Sequence, residues 1–296
     1  PRRRFARQAR RVIGYSSFAG IRRNRPENPS TLMPIPDVQS GSDERNLAID
    51  QVGIRGLRYP LAFADGDAPA QSTIGTFAVM VALPEDRKGT HMSRLIEMLE
   101  DLTAPGAAPL SVPGMRALLD QLVVRLDAPA GRIEVAFPWF VRKTAPISGV
   151  ASLLDYEVRL AAELQGDRYA SLVTVAVPVT SLCPCSKEIS EYGAHNQRST
   201  ITISVRPREP VRLAELLRVA ETEASSELYG ILKRADEKYL TERAYDNPRF
   251  VEDLVRGVAA RLAADRRFAG FAVEAENFES IHNHSAFARI ARGLGV

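Results

Sequence analysis

Residues 152–164, SLLDYEVRLAAEL, and residues 168–182, RYASLVTVAVPVTSL, decide how this chain is read. Both are rich in apolar and β-branched side chains and predict strands, with a seam at 165–169. Upstream, IDQVGIRGLRYPLAFA (49–64) and STIGTFAVMVALP (72–84) predict two strands separated by the turn-rich DGDAPAQ. HMSRLIEMLEDL (91–102) and SVPGMRALLDQLVVRLD (111–127) predict helices, the second with Ser111 as N-cap and Pro113 in its first turn. GRIEVAFPWFVRKTAP (131–146) is a further strand.

Downstream of the seam the order recurs. STITISVRPR (199–208) predicts a strand, and RLAELLRVAETEASSELYGILKR (212–234) a helix with Leu213, Leu216, Leu217, Ala220 and Ala224 on one face. A last helix is expected from Asn247 as N-cap and Pro248 at the first helical position. AGFAVEAENFES (269–280) and SAFARIARGL (285–294) complete the strands. The chain thus reads as ββααββ written twice, an α+β protein of antiparallel sheets with helices on one face. The units fall at 46–166 and 167–296, the second carrying the cysteine motif. Residues 1–45 lack a hydrophobic period and read as a mostly disordered Arg-rich extension and N-terminal segment.

The net charge of +3 hides an uneven distribution. Residues 1–26 hold nine arginines and no acid, so without them the balance is −6. The basic signal belongs to that tail, which reads as an extension upstream of a start near Met33, and the acidic body suggests no nucleic-acid partner. No apolar run approaches the roughly 18 residues of a membrane span. Two cysteines in 296 residues are no disulfide framework and suit a reducing cytoplasm.

All four histidines and both cysteines fall in three short clusters: KGTHMSR (His91), TSLCPCSKEISEYGAHNQRS (Cys183, Cys185, His195) and ESIHNHSA (His282, His284). Two thiolates and an imidazole within 13 residues suit zinc or another late first-row divalent ion. The spacing is that of no zinc finger, and so sparse a ligand set leaves a coordination position open for water. The cysteines also read as small residues ending a strand, or as a redox pair. His282 and His284 share one face of an extended segment, as proton carriers or as turn residues, with Glu276 and Glu279 as weaker candidates nearby. His91 and Arg94 open a helix beside Lys88, where free N–H groups and cations favour an anion.

VPVTSLCPCSKEISEYGAHNQRS, with KGTHMSR before it and NPRFVEDLVR and IHNHSAF after it, closely resembles the GTP cyclohydrolase IB family, as does IPDVQSGSDERNLAIDQVGIRGLRYPL. The resemblance runs from about residue 34 to the end. It implies the tunnelling fold, two ββααββ units in tandem, in a homotetramer with active sites between subunits. It implies a metal-activated water attacking C8 of GTP, giving 7,8-dihydroneopterin triphosphate and formate, the first step of tetrahydrofolate biosynthesis.

Carried over by motif, Cys183 or Cys185, His195 and Glu237 match the ligands of a divalent metal: Zn2+, Mn2+ or Fe2+. By periodicity Glu237 is a solvated helix residue opposite Leu228, Ile231 and Ala235; only the resemblance promotes it. Glu252 matches the acid that binds the purine edge. His282 or His284 becomes the proton donor, and Lys187, Arg198, His91 and Arg94 become candidates for the triphosphate. Rival readings are a cyclohydrolase giving a cyclic phosphate, a nitrile reductase using a catalytic cysteine, and a non-catalytic metal-stabilised nucleotide-binding protein.

Overall fold

The structure is a computed structural model that describes residue 37, residue 39 and residues 41–294. The Arg-rich stretch, the start expected near Met33 and most of the segment 1–45 lie outside the described residues.

Eight strands form one sheet in chain order, every neighbour antiparallel. They are β1 (Ile49–Phe63), β2 (Gln71–Leu83), β3 (Ala130–Thr144), β4 (Ala151–Gln165), β5 (Arg168–Leu182), β6 (Asn196–Pro207), β7 (Phe268–Phe278) and β8 (Ser285–Arg292). The helices are α1 (Met92–Asp101), α2 (Gly114–Leu126), α3 (Pro184–Ile189), α4 (Leu213–Glu223), α5 (Arg234–Asp246) and α6 (Val251–Ala264). The α+β class is as expected, and the halves meet at the β4–β5 hairpin within one continuous sheet.

Burial alternates along the central strands: Ile133, Val135 and Phe137 of β3 and Val173, Val175 and Val177 of β5 are inside, while their neighbours are half-exposed. That period of two puts one face of the sheet under the helices. Leu95, Met98 and Leu99 of α1, Leu118, Leu119 and Leu122 of α2, and Leu254, Val255 and Val258 of α6 fill the space above it in a single core. Each such side chain contributes about 1.5–3 kcal/mol on leaving water. α2 begins later than expected, with Pro113 rather than Ser111 as its N-cap, although Ser111 Oγ still accepts the Gly114 N–H at 3.1 Å.

The second half departs from ββααββ. It carries α3 between its first two strands and three helices before β7. The helix expected over 212–234 stops at Glu223. The reason lies in the sheet. β4 pairs with β5 only as far as Ala176, so the backbone groups beyond it need partners on that side. The segment after α4 supplies them: Thr180 N–H donates to the Ser226 carbonyl at 2.9 Å and Leu182 N–H to Ser225 Oγ at 3.1 Å. Gly230 permits the close pass, since a Cβ there would lie 2.6 Å from the Leu153 carbonyl oxygen.

The last helix also starts later than expected. Asn247 ends α5 rather than opening α6, its Nδ2 donating to the Ala224 carbonyl at 2.8 Å. Arg249 N–H goes to the Leu182 carbonyl at 3.0 Å, and α6 begins at Val251 with Asp253 accepting the Phe250 N–H at 2.9 Å.

Candidate active site

The strand order sends the sequence clusters to opposite ends of the sheet. β5 ends at Leu182 opposite Asn196, where β6 begins; β7 ends at Phe278 opposite Ser285, where β8 begins. Cys183, Cys185, His195, His282 and His284 therefore all sit at one end. Glu237 in the first turn of α5 and Arg198 on β6 join them, lining a cavity of about 330 Å³ with Thr180, Asn196, Tyr229 and Thr241. Glu252 lies exposed in the first turn of α6, three residues past the Arg249 bond to Leu182.

β2 ends at the other extremity, with Val81 opposite Gly131 and Ala130 opposite Gln165. His91 and Arg94 follow that end. They line a separate cavity of about 310 Å³ with Arg87, whose guanidinium is already engaged by Asp127. Within one chain the His91 and Cys183 clusters are not brought together.

Cys183 is half-buried, Cys185 is exposed, and both are free thiols. Cys183 precedes α3, and its backbone N–H donates to the His195 carbonyl at 3.1 Å. Ser186 fastens the loop, its N–H reaching Cys183 Sγ at 3.5 Å and its Oγ accepting the His195 N–H at 3.2 Å. His195 Nδ1 lies 3.0 Å from Gln197 Oε1 and 3.2 Å from Ser280 Oγ, while Nε2 has no hydrogen bond to any described residue. Lys187 directs its ammonium to the Tyr245 carbonyl and lies 4.2 Å from that ring's centroid. His282 and His284 are exposed and stack with centroids 5.2 Å apart and planes 18° apart.

The wall behind Glu237 is polar. Glu227 accepts from Tyr229 at 2.8 Å and from Arg243 at 2.9 Å, while Lys143 and Tyr156 converge on Glu221 at 2.5 and 3.0 Å. Burial, with the Glu227 hydrogen bond and charge, pushes the Tyr229 hydroxyl well above its ordinary range, so it remains a donor.

A soft thiol and an imidazole on facing strand ends, the imidazole held through one nitrogen and free at the other, fit a divalent metal chemically. Among the described residues no three His, Cys, Asp or Glu side chains are grouped to hold a metal ion. Motif reading passed over Ser280 in the exposed turn and Gln197, Ser181 and Ser199 on the strands, although polar residues at the latter three positions, where strand alternation calls for apolar ones, were a usable signal.

The fold and these groups define an α+β protein with its cysteine and histidine clusters at the strand ends of one antiparallel sheet. Residues 35–288 match the family described as type I GTP cyclohydrolase folE2, and the chain belongs to that family. GTP cyclohydrolase FolE2 2 of Cupriavidus metallidurans is 57% identical over 263 residues, 89% of this chain and 96% of that protein. GTP cyclohydrolase FolE2 of Burkholderia ambifaria is 56% identical over 265 residues, 90% of this chain and 96% of that one. Among solved structures, uricase from Arthrobacter globiformis aligns with TM-score 0.45 and 10% identity over 83% of this chain and 94% of that one.

Proposed function

We infer that this chain is a GTP cyclohydrolase acting in folate biosynthesis, converting GTP and water to 7,8-dihydroneopterin triphosphate and formate. The observation that carries the reading is the gathering of the Cys-Pro-Cys turn, His195 and the His282–His284 turn at one end of the sheet in a chain of this family.

His195 with Cys183 or Cys185 would hold a divalent ion, Zn2+, Mn2+ or Fe2+, and Glu237 would complete the ligand set. Such an ion, when bound, supplies the Lewis acidity that makes a water nucleophilic near neutral pH. The protein's own groups do the rest. Glu252 accepts the N–H donors of the guanine edge; a base lacking them leaves a desolvated carboxylate unpaired, which costs about 1–3 kcal/mol or more. His282 or His284 delivers a proton to the imidazole ring nitrogen of the substrate as that ring opens. Lys187 and Arg198 face the triphosphate from the same end.

His91 and Arg94, at the other end of the sheet, reach that substrate only from a second copy. Their separation from Cys183 supports a homotetramer with sites between subunits. A pair of free thiols suits the cytoplasm. Metal-reconstituted protein incubated with GTP should release formate and, after oxidation, yield a fluorescent pterin. A cyclic phosphate product, or no formate at all, would overturn the reading.

A further inference from the structure

Four buried polar residues stand where the strand pattern calls for apolar ones. Ser181 shares its strand face with Val177 and Val179, Gln197 and Ser199 with Ile201 and Ile203, and Asn277 with Val273 and Ala275. Each is at most 6% exposed. Buried polar groups cost stability unless they are hydrogen-bonded, and an apolar residue at each position would extend the core at no such cost.

Three of them form a chain that leads outward to one atom. Ser199 Oγ lies 2.7 Å from Ser181 Oγ, Gln197 Nε2 donates to Ser181 Oγ at 2.9 Å, and Gln197 Oε1 lies 3.0 Å from His195 Nδ1. With its Nε2 committed inward to Ser181, the Gln197 amide presents its oxygen to the ring. An acceptor there keeps the proton on Nδ1 and leaves the Nε2 lone pair free. Ser280 Oγ, 3.2 Å from the same nitrogen, belongs to an exposed residue and competes with water.

We propose that Gln197, backed by Ser181 and Ser199, is a positioning residue that fixes His195 as the Nδ1–H tautomer and so presents Nε2 to a divalent metal. The proposal rests on reading His195 as a metal ligand. Groups that orient a ligating histidine through its other nitrogen typically change metal affinity by roughly 10- to 100-fold when removed.

The test uses the full chain and two readouts other than turnover. One is the tautomer of His195 in metal-free protein, from 15N-histidine NMR, with only four histidines to assign. The other is Co2+ affinity, by competition with a chromophoric chelator. Gln197→Leu is expected to shift His195 toward the Nε2–H tautomer and to weaken Co2+ binding roughly 10- to 100-fold. Gln197→Glu, which can only accept, should keep the wild-type tautomer and an affinity close to wild type. A folded Q197L protein with an unchanged tautomer, or with Co2+ affinity within twofold of wild type, overturns the proposal.

If Q197L does not fold, Ser181→Ala carries the test, since it removes only the hydroxyl that orients the amide. The same two shifts, smaller, are expected, and their absence overturns the proposal. His195→Ala separates the two readings. Wild-type Co2+ affinity in H195A sinks the ligand assignment itself, whereas lost affinity in H195A with unaltered Q197L sinks only the role of Gln197.

Discussion

The backbone N–H of Cys183 donates to the carbonyl of His195 at 3.1 Å, and together with the Ser186 bridge this bond ties the thiol-bearing turn to the residue carrying the imidazole. Eleven residues lie between them, six of them the short α3, yet the β5–β6 register returns the chain to the same place.

Cys183→Ala should therefore abolish formate release from GTP with the fold intact. Cys183 is only half-buried and its side chain packs into no core cluster, so melting temperature should stay near wild type. Loss of a metal-assisted step worth several kcal/mol predicts at least a hundredfold fall in kcat. Wild-type formate release by C183A would sink the assignment.

Chelation tests the same centre from the other side. Removing metal should eliminate activity while far-UV circular dichroism is retained, because the core is continuous without the site. A non-catalytic, metal-stabilised scaffold predicts the reverse, unfolding on chelation.

Glu252 is exposed in the first turn of α6, off the face that packs against the sheet. Glu252→Gln replaces an acceptor-only carboxylate with an amide that must present a donor to guanine's own donors. We expect kcat/KM for GTP to fall about 10- to 100-fold, with stability unchanged, since charge-assisted hydrogen bonds contribute about 1.5–3 kcal/mol. Steady-state kinetics with GTP check it, and an unchanged kcat/KM removes Glu252 from the guanine site.

Asp236 is fully buried and accepts N–H bonds from Ile147, Ser148 and Lys233, each at 2.8 Å, tying the β3–β4 turn to the start of α5. Burial pushes its carboxyl up, but these donors outweigh it and hold it well below the ordinary 3.8. A depressed folded-state value means stability that is present above pH 3.8 and lost as pH falls below it. Asp236→Asn should thus lower the urea midpoint at pH 7 and show a narrowing deficit in acid. A deficit that is constant with pH would contradict the ionised role.

Asp65 joins the two halves: from the loop after β1 its carboxylate accepts the Leu213 and Ala214 N–H groups at 2.8 and 3.1 Å, capping α4. Asp65→Ala should cost about 1–2 kcal/mol, the range for losing a helix N-terminal acceptor. Chemical denaturation measures it.

Much of the fold was legible locally. The strand read from 49–64 is β1 at Ile49–Phe63, and the strand at 168–182 is β5 to the residue, because alternation is a property of the segment itself. The reactive residues were legible as types and clusters for the same reason. Of the helix read over 212–234, the first half is α4 with the expected face of Leu213, Leu216, Leu217 and Ala220 buried; its end was not legible, since beyond Glu223 the chain instead serves the backbone of Thr180 and Leu182.

The sequence by itself determined the strands, their order, and which side chains can do chemistry, since these depend on short-range pattern and functional-group type. Tertiary structure alone decided which of them meet. Strand pairing put Cys183, His195 and the His282–His284 turn at one end of the sheet and His91 with Arg94 at the other. It also fixed the amide of Gln197, two residues from His195, because the β5–β6 register sets Ser181 opposite Gln197, takes up its nitrogen and leaves its oxygen for the ring.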